Sequence, residues 1–337
     1  MTGARRWAAA CAGALAVVSL PALTTGADAG VDPVLVTVSP ERQVSNGRGT
    51  VDISVNVVAG ATSTCTLFSE TGEMGQWHPC LPEYSFDASM FTDGDYRLAA
   101  RAKKNDVRDW TASYFYVDSV APQTEIHSQY PSLLTSGSFY ASWSLKRRDS
   151  SPTFEVQSQQ DSPFRGLGNW RDEAKTDANA MKFTIDPGET VCVRVRATDA
   201  AGNTGSWSRE LCRTRYLDDR DLDGWRDSNK WDAIQFSGNI KGTALVSKSK
   251  GATVTLPDMR VGRLVLFGRK GPYGGSIEIR IGGDVVQRVS LKSAEPKRAT
   301  LFRSDWRVPR DGRFAIEVTS ANGKYVHLDA LILHRTP

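Results

Sequence analysis

The sequence lacks the signatures of most catalytic machinery. It contains no Gly-x-Ser-x-Gly elbow for an activated serine, no His-Glu-x-x-His pair for zinc and no Cys-x-x-Cys pairs. No pair of acidic residues has a context typical of glycoside hydrolysis. The Gly-rich stretch 268–275 is not followed by the helix that phosphate binding would use. We therefore predict that the protein is not an enzyme and has no catalytic residues.

Histidine is scarce, with only four in 337 residues. His327 and Asp329 fall on one face of a predicted strand, but no nucleophile accompanies them. We predict ordinary surface or edge positions for all four histidines, which are His78, His127, His327 and His334.

Long apolar runs are also missing, except at the N-terminus. Arg5 and Arg6 precede a run of small and apolar residues from Trp7 to Leu23, and Ala27-Asp28-Ala29 follows as a small-x-small cleavage pattern. This arrangement predicts a secretory signal peptide over residues 1–29 and a secreted, extracellular mature protein. No later run approaches the roughly 20 residues that span a bilayer, so no membrane span is expected.

Cysteines are few, and Cys11 lies in the predicted signal peptide. The other four allow three pairings. Their spacing favours Cys65–Cys80 and Cys192–Cys212, each local to one module. Each bridge is expected to stabilise its module by roughly 3 kcal/mol, mainly by restricting the unfolded chain.

Charge is unevenly distributed along the chain. Residues 30–216 contain 19 Lys and Arg against 23 Asp and Glu, whereas residues 217–337 contain 21 against 14. The basic C-terminal part suggests an anionic partner, such as a cell-wall polymer or an acidic polysaccharide; a charged surface that only maintains solubility is the alternative. The Lys and Arg residues are scattered rather than interleaved with aromatics, so no nucleic-acid partner is expected.

Short runs of alternating apolar and polar residues occur throughout the chain, and no segment keeps a helical period beyond a turn or two. Val51, Ile53 and Val55 alternate with polar neighbours, and the stretch 188–212 alternates on both sides of an Ala-Gly-Asn turn. A break with a proline at Pro122 predicts a boundary between modules. These patterns predict an all-β chain of serial β-sandwiches.

The first two modules resemble known sandwich families. The short Cys65–Cys80 loop, the Asp-Gly-x-Tyr turn ending at Tyr96 and the exit at 117–122 resemble bacterial immunoglobulin-like repeats. This resemblance implies that Tyr96 is a tyrosine-corner residue bonded to the backbone. The second module resembles a fibronectin type III-like domain, which implies that Trp143 is a core residue. In the same module, Val191 replaces the usual corner tyrosine. Arg194 and Arg196 are expected to stack with Trp207 as cation–π pairs on one face of this module.

The third module opens with Trp231, contains a Gly-Gly hairpin at 282–283 and ends in a Leu-Asp-x-Leu strand at 328–331. In this order it resembles the jelly-roll modules of carbohydrate-binding proteins. Its opening stretch 217–222, joined to the preceding hairpin, resembles uncharacterised secreted proteins of actinobacteria. The resemblance implies that exposed aromatic rings bind sugars. The candidate ligand-binding residues are Trp225, Trp231, Tyr273, Trp306 and Tyr325, and packing in the core or at its rim is the alternative for each of them.

One stretch has the beginning of a calcium loop. Asp219, Asp221 and Asp223 alternate before a glycine, and Asp227 follows at the ninth position. The twelfth position is Lys230, which supplies no carboxylate. We take calcium as a weak candidate cofactor, with an acidic linker as the alternative.

These observations predict a signal peptide and three β-sandwich modules. Their ranges are 1–29 for the signal peptide, 30–120 for an immunoglobulin-like module, 121–216 for a fibronectin type III-like module and 217–337 for a jelly-roll-like module. The predicted function is non-catalytic adhesion or recognition at an extracellular surface. The alternative is a carbohydrate-binding accessory protein that uses the C-terminal module.

Overall fold

The computed structural model describes residues 34–146, 152–227 and 229–335. The predicted signal peptide lies outside these residues. Strands dominate the described chain, and its helical segments are three short 3-10 turns: Ala88–Met90, Asp219–Trp225 and Ile240–Gly242. The all-β, sandwich fold class is therefore confirmed. Within the described residues, no helix has the length and apolarity needed to cross a bilayer.

The strands fall into three groups, which we call the first, second and third units. The first unit has a three-stranded sheet in the order β1-β3-β7 and a six-stranded sheet in the order β2-β9-β8-β4-β5, in which β6 also pairs with β4. Its strands are β1 (Val36–Ser39), β2 (Arg42–Ser45), β3 (Thr50–Val57), β4 (Thr62–Ser69), β5 (Gly72–Glu73), β6 (His78–Pro79), β7 (Glu83–Asp87), β8 (Gly94–Lys104) and β9 (Val107–Val117).

Alternation places the core of the first unit between its two sheets. Val51, Ile53 and Val55 of β3 are buried, as predicted, because every second side chain of a strand points to the same face. The Tyr96 hydroxyl donates a hydrogen bond to the Thr92 carbonyl at 2.9 Å, which confirms the predicted corner. A disulfide joins Cys65 to Cys80, the pairing that the spacing favours.

The second unit also consists of two sheets. They have the orders β10-β12-β16 and β11-β18-β17-β13-β14, with β15 paired to β13. Trp143 is buried between them as predicted, and its indole N–H donates to the Ala178 carbonyl at 3.0 Å. The second disulfide joins Cys192 to Cys212. The strands are β10 (Thr124–His127), β11 (Leu133–Leu134), β12 (Ser138–Leu145), β13 (Thr153–Ser162), β14 (Gly166–Leu167), β15 (Arg171–Thr176), β16 (Ala180–Thr184), β17 (Thr190–Thr198) and β18 (Leu211–Arg215).

A cation–π stack runs along one face of this unit. The Arg194 guanidinium lies 4.1 Å from the centre of the Trp170 ring and 4.7 Å from that of Trp207, and Arg196 lies 4.6 Å from Trp207. The predicted stacking of Arg194, Arg196 and Trp207 is confirmed. Trp170 extends the stack.

Replacing Trp207 by alanine is expected to lower the free energy of unfolding of the second unit by about 1–3 kcal/mol. The change removes two cation–π contacts, each contributing roughly 0.5–1 kcal/mol, together with the packing of the ring. Urea unfolding of the full chain measures this loss. Trp110→Ala is the matched control because Trp110 is 73% exposed. Equal losses in the two variants would contradict a stabilising role for the stack.

The third unit is one eight-stranded sheet around one core. Its order is β20-β21-β26-β22-β25-β23-β24, and β19 also pairs with β26. The pairing of β22 with β25 contains three register shifts, and buried residues from most of the strands share one apolar cluster. Bulges of this kind bend long strands, so that a continuous sheet encloses its core. The strands are β19 (Leu217–Asp218), β20 (Asp232–Gln235), β21 (Thr243–Ser247), β22 (Thr253–Lys270), β23 (Ser276–Ile281), β24 (Asp284–Ser290), β25 (Lys297–Val318) and β26 (Val326–His334).

The predicted module boundaries fall in short connections between these groups of strands. The first lies between the end of β9 at Val117 and the start of β10 at Thr124, and the second lies between β18 and β19.

Candidate functional site

The five aromatic candidates of the third unit occupy different environments. Trp231 is only 2% exposed and belongs to the apolar core, where its indole N–H donates to the Thr253 carbonyl at 3.0 Å. Its predicted role in ligand binding is therefore wrong, because neither face of the ring reaches solvent.

Two more candidates lie apart from the others and are partly buried. Trp225 packs against Phe164 of the second unit, with 5.6 Å between ring centres. Trp306 packs against Phe302 at 6.2 Å and lies under the Arg310 guanidinium at 5.6 Å. Neither tryptophan is among the residues that line the pocket of Tyr273 and Tyr325.

The remaining two candidates, Tyr273 and Tyr325, line the same open pocket. Its volume is about 320 Å³. Tyr273 is 71% exposed and Tyr325 is 38% exposed, so both rings are available to a ligand. The full lining is Phe236, Arg269, Lys270, Gly271, Pro272, Tyr273, Gly274, Pro296, Tyr325 and His327.

Backbone hydrogen bonds hold the two tyrosines at a fixed separation. The Tyr325 N–H donates to the Tyr273 carbonyl at 3.0 Å, and the Gly275 N–H donates to the Tyr325 carbonyl at 2.7 Å. The turn also approaches the backbone of Leu291 so closely that a Cβ on Gly274 would lie 2.1 Å from the Leu291 carbonyl oxygen. Glycine is therefore required at position 274, and the pocket is formed before a ligand arrives.

Cations pack on two of the rings that line the pocket. The Arg269 guanidinium lies 4.4 Å from the centre of the Phe236 ring, and the Lys248 ammonium lies 4.5 Å from that of Tyr325. His327 lies between the two rings, 5.8 Å from Phe236 and 5.9 Å from Tyr325. These contacts orient the side chains that face a ligand.

The pocket carries positive charge and one neutral imidazole. Burial, followed by the nearby Arg269 guanidinium, holds the pKa of His327 below its usual range, so the ring is neutral at pH 7. Its Nδ1 atom is buried and has no hydrogen-bond partner among the described residues. The described residues that line the pocket include Arg269 and Lys270 but no Asp or Glu. The site therefore offers aromatic faces, hydrogen-bond donors and positive charge.

Sequence reasoning missed the residues that complete this pocket. His327 was expected to be an ordinary surface or edge residue, and Phe236 and Arg269 were not singled out. The register that pairs Arg269 with His327 on adjacent strands brings them together. The Gly-rich stretch was a usable signal, because it requires the chain to turn sharply just after two basic residues.

The predicted calcium ligands do not converge. Asp219 accepts a hydrogen bond from the Thr243 hydroxyl at 2.6 Å, Asp223 pairs with Arg226, and Asp227 accepts from the Thr253 N–H at 3.1 Å. The segment folds as a 3-10 helix, which sends successive carboxylates in different directions.

The structure therefore corrects the predicted calcium arrangement of Asp219, Asp221, Asp223 and Asp227. Among the described residues, the single group close enough together for a metal ion is Cys192, Glu210 and Cys212, and both of its cysteines are in a disulfide.

Instead, two acids of this region form a buried cluster with Asp329 of β26. Asp218, Asp219 and Asp329 are almost completely buried. Asp329 accepts from the Arg298 guanidinium at 2.7 Å and from the Ile240 N–H at 2.9 Å. Burial raises the pKa of Asp219 to about 6, and burial also raises the pKa of Asp329 although Arg298 opposes the shift. The cluster is a structural feature with a pH-dependent cost.

No protein-family model matches the chain, and no curated protein matches it. Three solved structures illustrate what the chain is similar to. The fibronectin(III)-like modules of CbhA from Clostridium thermocellum share 16% identity at a TM-score of 0.27, covering 54% of this chain and 95% of that one. A CBM36 domain of a multidomain xylanase from the hindgut metagenome of Trinervitermes trinervoides shares 16% identity at a TM-score of 0.23, covering 32% and 91%.

The third structure is an alpha-L-rhamnosidase from Dictyoglumus thermophilum, with 13% identity and a TM-score of 0.27. The match covers 64% of this chain but only 27% of the rhamnosidase chain. Because these identities and TM-scores are low, the likenesses bear on neither the ligand nor the activity of this chain.

Proposed function

We infer that the protein is a non-catalytic recognition protein of an extracellular surface and that its third unit binds a polysaccharide in the pocket of Tyr273 and Tyr325. The observation that carries this inference is the pair of exposed rings held at one pocket by backbone hydrogen bonds. An exposed aromatic pair of this kind is hydrophobic surface that a partner is expected to cover.

The chemistry of the lining favours a sugar. The C–H faces of a sugar ring are apolar and pack on tyrosine rings, while its hydroxyl groups accept hydrogen bonds from guanidinium and ammonium groups. Arg269 and Lys270 supply those donors at the edge of the pocket. Their positive charge favours sugars that carry carboxylate or phosphate, in line with the predicted anionic polymer.

The inference of binding without catalysis rests on the composition of the pocket. Most glycoside hydrolysis uses two positioned carboxyl groups, and the described lining has none. The two disulfides support an extracellular location, because such bridges persist in oxidising compartments.

Replacing Tyr273 or Tyr325 by alanine is expected to weaken glycan binding by about tenfold or more. Each change removes a contact face that corresponds to at least about 1.4 kcal/mol of binding free energy. The experiment first screens the full chain on a glycan array and then measures the affinity of each variant for the glycans that bind.

Tyr140→Ala is the matched control, because Tyr140 is a half-exposed tyrosine of the second unit outside the pocket. It is expected to bind like the unmodified protein. The proposed function is wrong if no glycan binds, or if both pocket variants bind as tightly as the control.

A further inference from the structure

The first unit carries a basic, aromatic surface on the outward side of its six-stranded sheet. We call this surface the basic face. It consists of the cations Arg42, Arg97, Arg101, Lys103 and Arg108 and the rings Phe68, Trp77, Trp110 and Tyr114.

Strand register builds the basic face in rows across the sheet. Arg101 of β8 lies between Thr64 of β4 and Trp110 of β9, so these three side chains point to the same side. The neighbouring row pairs Lys103 with Arg108. A further row lies towards the other end of the strands. There Arg97 lies between the rings of Phe68 and Tyr114, and Arg42 of the edge strand β2 follows Tyr114.

The fold concentrates positive charge that the sequence disperses. Residues 34–120 contain seven Lys and Arg against eleven Asp and Glu, yet five of the seven cations lie on this face. Asp109, which lies between Arg108 and Trp110 in sequence, also borders the face, but its carboxylate accepts hydrogen bonds from the backbone N–H groups of Leu35 and Val36 at 2.7 and 3.1 Å. Two further acids lie on the same side of the sheet, Glu73 beside Phe68 and Asp95 two residues before Arg97.

None of the five cations forms an ion pair within 4.0 Å with an acid among the described residues. Rings and hydroxyls orient two of them instead. The Arg101 guanidinium lies 3.9 Å from the centre of the Trp77 ring and donates to the Thr64 hydroxyl at 2.8 Å, and Arg97 lies 4.6 Å from Phe68. Their charges are therefore held in place without being neutralised by a neighbouring carboxylate.

A cleft of about 390 Å³ lies at one end of this surface. The cations and ring that line it are Arg101, Lys103, Arg108 and Trp110, and its lining also includes Asp109 and residues 62–64 of β4. Trp110 is 73% exposed, so its ring is available for stacking. Trp77 lies inside the loop that the Cys65–Cys80 disulfide closes, which ties this ring to the sheet.

We propose that the basic face is a second binding site, for a linear polysaccharide that carries carboxylate groups. Cations two residues apart on β8 are about 7 Å apart along the strand, so they can meet successive charges on an extended chain. Guanidinium groups bind carboxylates in a bidentate manner, and the exposed indole packs on a sugar face between them. The disulfide beside the face indicates an oxidising, extracellular setting, where polysaccharides rather than nucleic acids are the expected polyanions.

This site is independent of the pocket in the third unit, and the test separates the two. The affinity of the full chain is measured for polygalacturonate and for the same polymer with its carboxylates methyl-esterified. We expect binding to the acid form, at least tenfold weaker binding to the ester, and a steep loss of affinity as salt is raised, because the contacts are charge–charge contacts.

Two variants address the face directly. Trp110→Ala and the triple change Arg101→Gln, Lys103→Gln and Arg108→Gln are each expected to weaken binding of polygalacturonate about tenfold or more. Trp110 and Lys103 are exposed, so Trp110→Ala and the single change Lys103→Gln test the site without disturbing the core.

The matched charge control is the triple change Arg171→Gln, Lys182→Gln and Arg209→Gln, which removes three exposed cations of the second unit. This control is expected to retain binding of polygalacturonate. The face variants are also measured in the Tyr273→Ala, Tyr325→Ala background, in which the pocket of the third unit no longer contributes to binding. The proposal is overturned by absent binding, by equal binding of the acid and the ester, or by full affinity in the face variants. Bound polygalacturonate is also challenged with a single-stranded oligonucleotide. If the oligonucleotide displaces it at a lower concentration of charges than free polygalacturonate needs, the polysaccharide assignment is overturned.

Discussion

Replacing Trp231 by alanine is expected to destabilise the third unit by about 3–5 kcal/mol, the largest single loss among the tryptophans named as ligand candidates. The substitution leaves a cavity in the core of the sheet and leaves the Thr253 carbonyl without the indole donor. A loss of this size approaches the whole stability of an ordinary domain. Calorimetry and urea unfolding of the full chain measure it.

Tyr273→Ala is the informative comparison, because it changes an aromatic residue of the same unit that is 71% exposed. It is expected to change the free energy of unfolding by less than about 0.5 kcal/mol while weakening glycan binding. Trp231→Phe, which keeps most of the volume, is expected to fall between the two. If Trp231→Ala unfolded at the same urea concentration as the unmodified protein, the assignment of this ring to the core would be wrong.

The second large effect is expected from removing the negative charge of Asp219, a change that stabilises the folded protein. Its pKa is raised to about 6 in the folded chain from 3.8, because burial disfavours the carboxylate. Between pH 4 and pH 6 the folded state therefore binds more protons than the unfolded state, and the contribution of Asp219 to stability falls as pH rises through this window. Above pH 6 the cost reaches about 3 kcal/mol, from 1.36 kcal/mol per pKa unit.

Asp219→Asn is expected to be more stable than the unmodified protein by about 2–3 kcal/mol at pH 7 to 8, with the difference vanishing near pH 4. The asparagine carbonyl still accepts the hydrogen bond from the Thr243 hydroxyl, so the change isolates the charge. Urea unfolding at five pH values across this range measures the difference between the two proteins.

Asp223→Asn serves as the control, because the Asp223 side chain is 75% exposed and pairs with Arg226 at the surface. Its effect is expected to stay within about 0.5 kcal/mol. A stabilisation by Asp219→Asn that is equally large at pH 4 and at pH 8 would contradict the assigned cause, since the benefit would then not depend on ionisation.

The local features of the fold were predictable because they depend on residues close together in sequence or on one strand. The Tyr96 corner joins residues four apart, and each disulfide closes a loop within one unit. The stack of Arg194 and Arg196 on Trp207 follows from strand alternation across a single hairpin. Alternation also identified the buried positions, because side chains of a strand point to opposite faces in turn.

The candidate sites were only partly predictable, because both depend on which strands become neighbours. Tyr273 and Tyr325 were named as ligand candidates, but so was Trp231, and a ring in the core has the same sequence signal as a ring at the surface. The acidic stretch after Asp218 matches the opening of a calcium loop in its spacing. The 3-10 backbone and the partners of each carboxylate, which lie elsewhere in the chain, decide that the acids diverge.

The sequence by itself determined the fold class, the two disulfides and the Tyr96 corner, because side-chain alternation and short loop closures depend on residues close together in the chain. Only the tertiary structure decided where charge and aromatic surface accumulate. Residues 34–120 carry a net negative charge, yet strand register collects five of their seven cations on one face. Composition cannot reveal such a surface, because a count along the chain contains no information about which side of a sheet each side chain occupies.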